Sequence, residues 1–340
     1  MPIASLPSVP ESSANSLAST AATANANGVP EAASAAGKRA TRRTGLLQGF
    51  SAYGLWGLLP LYFFLLAPAG AFEIVAERIL FSLLFCLILI TATRHWMKVL
   101  AIVRQPKLLF TLGLAGVFIY INWQVYLLAV LTGRVLEGAL GYFINPIVTV
   151  LLGVLVLRER LRPLQWVAVG ISFIAVLVLA FGYGQVPWIS LALAFSFGIY
   201  GLIKKRLGNR VDALTGLSLE TAWLAPVAIA QLAIVASTAG LTLGTLGPLH
   251  TIAIIGSGVV TAIPLLLFAG AARRLPLITL GLIQFVAPLS QFAIGAFLLH
   301  ETLTPERWLG FGLVWVALLV LSADMLSSGR AARREPPELV

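Results

Sequence analysis

The sequence predicts an all-α integral membrane protein with about ten transmembrane helices, arranged as two inverted repeats of five helices each. Three observations lead to this prediction. The 340 residues are 59% hydrophobic and only 11% charged, whereas soluble domains carry roughly 25% charged residues. The apolar residues fall into blocks of a length that crosses a bilayer. The second half of the chain also repeats residues of the first half at a constant spacing.

Apolar blocks of about 20 residues follow one another along the chain, and at a rise of roughly 1.5 Å per residue each can cross about 30 Å of hydrocarbon. The connections between them are mostly short, which leaves no room for a sizeable soluble domain. The blocks cover residues 46–66, 73–93, 108–128, 136–157, 164–183, 187–203, 214–236, 250–271, 277–299 and 307–325.

The basic residues lie almost entirely in alternate connections between these blocks. If the N-terminus is cytoplasmic, all of the 23 lysines and arginines except Arg78, Arg134 and Arg307 fall in segments that face the cytoplasm. Cytoplasmic loops of membrane proteins carry this excess of positive charge. We therefore predict an inner (cytoplasmic) membrane protein with both termini in the cytoplasm. The net charge of +10 is then a matter of topology, and nucleic acid is not a predicted partner.

The chain divides into four segments. Residues 1–43 are a predicted disordered N-terminal tail, rich in Ala, Ser, Thr and Asn. Residues 44–183 hold the first five helices, residues 184–326 hold the second five, and residues 327–340 are a polar C-terminal tail. Cys86 is the only cysteine and lies inside an apolar block, so no disulfide can form within the chain.

The internal repeat is clearest when the segment from Asn145 is read against the segment from Ala287, at an offset of 142 residues. Proline, glycine, glutamate and tryptophan residues then coincide without a gap, which chance alignment of leucines would not produce. The aligned pairs are Pro146 with Pro288, Gly153 with Gly295, Glu159 with Glu301, Pro163 with Pro305, and Trp166 with Trp308. A weaker match brings Glu77 close to the counterpart of Glu220.

Five helices are an odd number, so the second copy would enter the membrane from the opposite face and the two halves would be inverted. Inverted repeats give a protein two related conformations, open to either side, with a solute site near the middle of the membrane. The pattern therefore favours a transporter of small organic solutes. The alternative is that duplication only built a stable helical bundle.

One run of residues carries a family resemblance. Residues 137–146 read EGALGYFINP and are followed by Arg158, Glu159 and Arg160. This run resembles the RarD proteins of the EamA family, within the drug/metabolite transporter superfamily, and the resemblance covers about residues 44–326. It implies a ten-span inner-membrane protein with two EamA repeats. The name chloramphenicol-sensitive protein, used within this group, implies drug efflux, including that of chloramphenicol-like compounds.

Charged side chains inside the spans are the first candidates for a site, because an ionisable group that faces lipid costs several kcal/mol. Glu77 and Arg78 lie near the outer part of the second span, with Glu73 one turn earlier. We interpret them either as a substrate or proton-coupling site or as a structural ion pair at the outer interface. Glu220 in the seventh span is either a cation or proton carrier or a partner of Arg210 at the water boundary.

Aromatic and amide side chains supply the rest of a predicted cavity, since this mixture suits flat or amphipathic organic solutes. We expect them to line the substrate cavity together with Glu77, Arg78 and Glu220. These candidates are Tyr53, Trp56, Asn122, Trp123, Tyr142, Asn145, Tyr200, Gln284 and Gln291.

Prolines interrupt spans in both halves, and each removes a backbone hydrogen bond and bends the helix. In a transporter such breaks form hinges, whereas in a static bundle they are tolerated kinks. The predicted hinges are Pro60, Pro146, Pro264 and Pro288. The paired residues Glu159 and Glu301 end spans beside arginines, and we interpret them as structural locks at opposite membrane faces.

Several catalytic motifs are missing from the sequence. It has no zinc-binding His-Glu-x-x-His pattern, no Gly-x-Ser-x-Gly elbow and no phosphate-binding Gly-x-x-x-x-Gly-Lys loop. We predict no enzymatic activity, no cofactor and no metal site, and we expect uphill transport to be coupled to protons or to a counter-solute. The predicted partners are a small organic solute and the lipid bilayer. The alternatives are a membrane enzyme that acts on lipids and a sensor or assembly subunit that transports nothing.

Overall fold

The computed structural model describes residues 31–158, 161–182, 186–272, 274–275, 279 and 283–331, and within these ranges the chain is helical and contains no strand. The described residues also include a short 3-10 turn, Gly208–Arg210, and a π-helical turn, Ile294–Leu298. The helices are α1 Glu31–Phe64, α2 Ala71–Ala92, α3 Trp96–Val103, α4 Pro106–Leu131, α5 Val135–Leu157, α6 Pro163–Gly182, α7 Trp188–Leu207, α8 Ala213–Thr238, α9 Pro248–Ala272, α10 Val286–Ala293 and α11 Pro305–Ala331.

Among the described residues, seven helices are long and apolar enough to cross a membrane by length and composition: α2, α4, α5, α6, α8, α9 and α11. Shorter apolar helices occupy Trp188–Lys204 in α7 and Val286–Leu298 in α10 with its π turn. The all-helical prediction is therefore confirmed, and the exact number of ten spans stays a prediction. Large apolar side chains also cover the exterior, with Phe181 and Leu249 each 83% exposed, as lipid-facing surfaces require.

The N-terminal boundary differs from the prediction. Residues 31–43, which the sequence assigns to a disordered tail, are helical and continue α1 toward the N-terminus. The alanines of this stretch have the highest helix propensity of all residues, so the helix extends beyond the apolar block. At the other end α11 extends to Ala331, past the predicted start of the tail at residue 327. Residues 1–30 and 332–340 of the two predicted tails lie outside the described residues.

One element was not expected. The short helix α3 lies within the basic connection between the second and third apolar blocks, just after Arg94, which adopts a left-handed φ of 56°. Its apolar residue Ile102 is buried against α4 and α8, whereas Trp96 and Met97 stay exposed. The prediction treated this segment as a loop because eight residues are too few to cross a bilayer.

The major helix contacts form pairs that relate the first half of the chain to the second. The helix α4 packs on α7 and α8, and correspondingly α9 packs on α1 and α2; α5 packs on α7, and α10 packs on α1. The remaining major pairs join α2 to α8, α5 to α10, and α6 to α11. If α1, α2, α4, α5 and α6 correspond to α7, α8, α9, α10 and α11, every one of these contacts has its counterpart. Two equivalent halves would produce this pattern.

The backbone shows the same correspondence at one pair of positions. Arg158 at the end of α5 has a φ of 56°, and His300 after the π turn of α10 has a φ of 52°. The two residues are 142 positions apart, which is the offset of the sequence repeat. The left-handed conformation costs a residue with a Cβ roughly 1–2 kcal/mol, so its recurrence at equivalent positions supports the predicted duplication.

A close helix crossing positions the most important side chain of the interior. The helices α2 and α9 touch at Gly258, where a Cβ atom would overlap the backbone of Phe81. The Ser82 hydroxyl donates to the Gly258 carbonyl at 3.2 Å across this crossing. One turn away on both helices, Arg78 and Thr261 face each other. Only a glycine permits this approach, and the approach brings Arg78 within reach of Thr261.

Candidate functional site

A cavity lies between the two halves of the chain. It encloses about 790 Å³ of space not filled by protein atoms, counting the part that is open to the exterior. The first half contributes residues of α1, α2, α4 and α5, and the second half contributes residues of α7, α9, α10 and the segment before α10. The lining residues are Tyr53, Trp56, Leu59, Arg78, Ile119, Asn122, Trp123, Tyr126, Tyr142, Asn145, Phe197, Thr261, Leu265, Gln284, Ala287, Pro288 and Gln291.

Arg78 is the charged residue of this lining and is only 3% exposed. Its Nε donates to Thr261 Oγ1 at 2.5 Å. Its guanidinium carbon lies 4.5 Å from the ring centre of Trp123 and 5.4 Å from that of Phe63. Among the described residues, Nη1 of Arg78 has no hydrogen-bond partner. The side chain is therefore held firmly in place while one of its donors remains open.

The predicted ion pair between Glu77 and Arg78 is not what the structure shows. Glu77 is 2% exposed, does not line the cavity, and has no hydrogen-bond partner for either carboxylate oxygen among the described residues. Neighbouring residues point about 100° apart around a helix, so consecutive side chains face different directions. Glu73, one turn earlier, accepts hydrogen bonds from the backbone and the hydroxyl of Thr242, the latter at 2.9 Å.

The amides of the lining connect helices. Asn122 Nδ2 donates to the Leu193 carbonyl and to Ser196 Oγ, each at 3.2 Å, and its Oδ1 accepts from the Tyr142 hydroxyl at 2.9 Å. Asn145 Nδ2 donates to the Ala194 carbonyl at 3.1 Å. Both predicted asparagines therefore line the cavity, but their polar atoms are largely occupied in fixing α4 and α5 against α7.

Aromatic rings form much of the wall. Tyr53 and Trp56 pack edge to face with ring centres 5.1 Å apart, and Tyr126 packs against Tyr142 at 5.5 Å. Tyr142 also meets Phe197 edge to face at 6.1 Å. These rings come from α1, α4, α5 and α7, so both halves contribute flat apolar surface to the same space.

Pro60 explains one polar contact of the cavity. A proline cannot donate to the carbonyl four residues earlier, which leaves the Trp56 carbonyl in α1 without its helical partner. Gln291 in α10 supplies the missing donor, since its Nε2 donates to this carbonyl at 3.1 Å. Gln291 Oε1 is buried and has no hydrogen-bond partner within the described part of the chain. The predicted hinge at Pro60 is thus coupled directly to a cavity residue of the other half.

The other predicted hinges differ in their positions. Pro146 and Pro264 lie inside α5 and α9, as predicted. Pro288 lies in the first turn of α10, where a missing N–H costs little because the first turn has no helical acceptor. It lines the cavity at a helix start and does not interrupt a continuous described helix. Pro226 inside α8 is a further helix proline that the sequence analysis did not select.

Glu220 and Tyr200 were predicted to line the cavity, but neither belongs to its lining among the described residues. Glu220 is 1% exposed and forms an ion pair with Lys204, with Nζ and Oε1 2.6 Å apart. Tyr200 donates to the other carboxylate oxygen at 3.3 Å. The expected alternative partner, Arg210, does not form this ion pair. The partner is Lys204, which lies on α7 and comes before Arg210 in the chain, a tertiary detail that spacing alone does not predict.

Seven lining residues were not selected as site residues from the sequence: the aliphatic residues Leu59, Ile119, Leu265 and Ala287, together with Tyr126, Phe197 and Thr261. Tyr126 follows Asn122 and Trp123 at helical spacing, so the face of α4 that carries the two predicted residues already pointed to it. Phe197 is an ordinary apolar residue of a span. Thr261 becomes visible only through its contact with Arg78, which is 183 residues away.

A second pocket lies at the start of α5. Its lining includes Arg134, Glu137, Glu301 and Arg307. Arg134 and Glu137 form an ion pair with a shortest distance of 2.7 Å. The Glu301 carboxylate accepts from the backbone N–H of Val135 at 2.7 Å and of Leu136 at 3.0 Å.

Glu301 therefore caps α5 from the other half of the chain. The N-cap residue Arg134 makes no side-chain capping hydrogen bond, so Glu301 supplies the missing acceptor. Burial raises the pKa of Glu301, although the two backbone hydrogen bonds and the charge of Arg307 oppose this shift. The contact fits the lock predicted at this position. Its predicted counterpart, Glu159, lies outside the described residues.

The apolar helices, the cavity between the two halves of the chain and the lipid-facing exterior together define a multi-pass membrane protein of the transporter type. Comparison with known proteins specifies this class. Residues 43–181 match the model of the EamA-like transporter family. The chain is 49% identical over 292 residues to Protein RarD of Streptomyces exfoliatus, covering 86% of this chain and 92% of that protein.

Other comparisons agree. An uncharacterized transporter of Vibrio cholerae is 38% identical over 292 residues, covering 86% of this chain and 96% of that protein. A solved crystal structure of 18% sequence identity superposes with a TM-score of 0.55, covering 82% of this chain and 97% of that one, which shows a shared fold. The chain belongs to the EamA-like transporter family, and within it to the RarD proteins.

Proposed function

We propose that this protein is a secondary-active transporter that binds small organic solutes in the cavity between its two halves. The observation that carries the proposal is the composition of the lining, to which both halves contribute. If the halves move relative to each other, the same residues become accessible first from one membrane face and then from the other. A site placed inside one half would not change its accessibility in this way.

The orientation and direction extend this proposal. The lysines and arginines favour an inner membrane location with both termini cytoplasmic. We assign the direction as export of drug- or metabolite-like solutes, with chloramphenicol-like compounds among the candidates. The mixture of aromatic rings and amides in the cavity supports such amphipathic cargo.

The hydrogen bond from Gln291 to the Trp56 carbonyl connects the bend at Pro60 to the second half of the chain. Because the Trp56 carbonyl has lost its helical donor, α1 can bend at this point without breaking a further backbone hydrogen bond. Gln291 in the second half donates to that carbonyl, so a bend in α1 and a shift of α10 are linked. Pro60 is therefore our candidate hinge with the clearest structural support.

Coupling to a proton gradient is assigned to Glu77. Its carboxylate is buried, lacks hydrogen-bond partners among the described residues and sits next to Arg78 in α2. A carboxylate in this setting gains or loses a proton when the water around it changes. The substitution Glu77→Gln is expected to preserve exchange of solute across the membrane while removing its dependence on an imposed proton gradient.

Transport by the purified full chain in sealed liposomes tests the proposal. A panel that includes chloramphenicol and aromatic metabolites is measured with and without a proton gradient, and saturable movement of at least one solute is expected. Trp56→Ala, which removes a cavity wall, should lower the rate about tenfold or more. Trp166→Ala is the matched control, because Trp166 is 55% exposed on the outer surface. Folded protein that moves no solute would instead favour a sensor or assembly role.

A further inference from the structure

The open donor of Arg78 defines the chemistry of the solute more narrowly. We infer that the cavity selects organic anions, in which a carboxylate or another oxyanion pairs with the guanidinium of Arg78 and a flat apolar body lies against the aromatic walls. This inference rests on the proposed function, in that it takes the cavity as the solute site. It assigns a substrate class and a specificity-determining residue.

The positive charge of Arg78 is positioned but not neutralised. Thr261 Oγ1 accepts from Nε, and it can do so because its own proton goes to the Ser257 carbonyl at 2.7 Å. The rings of Trp123 and Phe63 hold the guanidinium from the sides. Among the described residues no ion pair involves Arg78. Each of these contacts therefore fixes the direction of the guanidinium, and none of them supplies a negative charge.

The local environment makes this arrangement costly without a ligand. A buried charged group with an unsatisfied donor loses the hydration it would have in water. The adjacent acid Glu77 offers no hydrogen bond to the guanidinium, and Glu73 is occupied by Thr242. An oxyanion that enters the cavity would satisfy the open donor, and charge-assisted hydrogen bonds of this kind are roughly twice as strong as neutral ones.

Two further polar atoms of the lining are buried and unpartnered within the described residues. The Tyr126 hydroxyl can donate a second hydrogen bond to an oxyanion, whereas Gln291 Oε1 can accept one from an N–H or O–H of the solute. The asparagines, by contrast, are already occupied. The fully buried atoms of the lining that lack a partner therefore comprise a cationic donor, a hydroxyl and one acceptor, and a positively charged solute would face the uncompensated charge of Arg78.

The test compares solutes of one shape and different charge. The purified full chain in lipid nanodiscs is titrated with phenylacetate, its neutral amide phenylacetamide and the cation phenethylamine, and binding is measured by thermal melting and calorimetry. Phenylacetate is expected to bind at least about tenfold more tightly than the other two, since a hydrogen bond between two charged groups is stronger than one between neutral groups. Phenyl phosphate and benzenesulfonate establish whether the oxyanion is a carboxylate, a phosphate or a sulfonate.

Substitutions assign the preference to Arg78. Arg78→Gln should abolish the discrimination between phenylacetate and phenylacetamide, and Arg78→Lys should keep part of it. Thr261→Val should weaken the preference by releasing the guanidinium. Arg104→Gln is the matched control, because Arg104 is an exposed residue at the end of α3; it removes the same charge and should change nothing. Melting without ligand verifies that each variant folds.

The outcomes separate this inference from the proposed function. Equal binding of the acid and the amide, binding of neither, or an anion preference that persists in a folded Arg78→Gln protein would overturn the inference, even if liposomes transport other solutes. An anion preference that depends on Arg78 in a protein that transports no solute would sustain the inference and contradict the proposed function.

Discussion

The contact of Glu301 with α5 should control how easily the cavity opens at one membrane face, the face that carries the loop of residues 299–304. Glu301 joins the second half of the chain to the first through two backbone hydrogen bonds, at 2.7 Å to Val135 N and 3.0 Å to Leu136 N. Losing a capping acceptor costs about 0.5–2 kcal/mol, and a carboxylate at a helix N-terminus adds up to about 1–2 kcal/mol in partly buried settings. We expect Glu301→Ala to destabilise the conformation in which this contact is formed by about 1–2 kcal/mol.

An energy of this size changes the population of an alternative conformation about 5- to 30-fold. A cysteine at the cavity residue Ala287, in a background in which the only native cysteine is replaced (Cys86→Ser), reports the opening through its rate of labelling by a membrane-impermeant maleimide. Glu301→Ala should raise labelling from the face of the 299–304 loop by this factor. Glu301→Gln keeps one acceptor oxygen and should raise it less. Unchanged labelling in a folded Glu301→Ala protein would refute the lock.

Three further predictions concern stability, measured as thermal melting of the purified protein. Lys204→Met should lower the free energy of unfolding by about 2–3 kcal/mol, because it leaves Glu220 buried and unpaired. The double variant Lys204→Met with Glu220→Gln should regain most of this stability. Equal melting temperatures of the single and the double variant would contradict the pairing. Gly258→Val should lower the melting temperature strongly, because the added side chain separates α2 from α9. Gly170→Ala should not lower it, since no atom lies within 4 Å of the added Cβ. Equal effects of the two substitutions would argue against the close crossing. Asp212 caps α8, and although burial opposes it, hydrogen bonds from Thr215 lower the pKa of Asp212. The stabilisation that ionised Asp212 gives to the folded protein is complete above the ordinary pKa of about 3.9 and is lost as pH falls through the lowered value. Asp212→Asn should therefore reduce the fall of the melting temperature at acid pH. An unchanged fall would contradict the capping role of Asp212.

The sequence predicted much of the cavity because buried polar and aromatic residues in a membrane helix have few alternatives to facing the interior. Asn122, Trp123, Tyr142 and Asn145 lie well inside apolar blocks, and the structure brings them together around one space. Arg78 was also selected for this reason. In each case the cost of facing lipid, read from one segment, was sufficient to predict the direction of the side chain.

Other features depend on contacts between distant segments and could not be predicted in this way. Glu220 looked like Glu77 in the sequence, but the structure gives it Lys204 as a partner and leaves Glu77 without one among the described residues. Thr261 matters only because a glycine crossing brings α9 against α2. Span length and charge define individual helices, whereas the partners of buried charges follow from how those helices cross.

We propose that one cavity between the two halves of the chain opens alternately to both membrane faces, and labelling of Ala287→Cys from each side of sealed vesicles tests this proposal. An impermeant maleimide is expected to reach this position from both faces, and a bound solute is expected to protect it from both. Labelling from one face only, under conditions in which solute moves across the membrane, would contradict the claim.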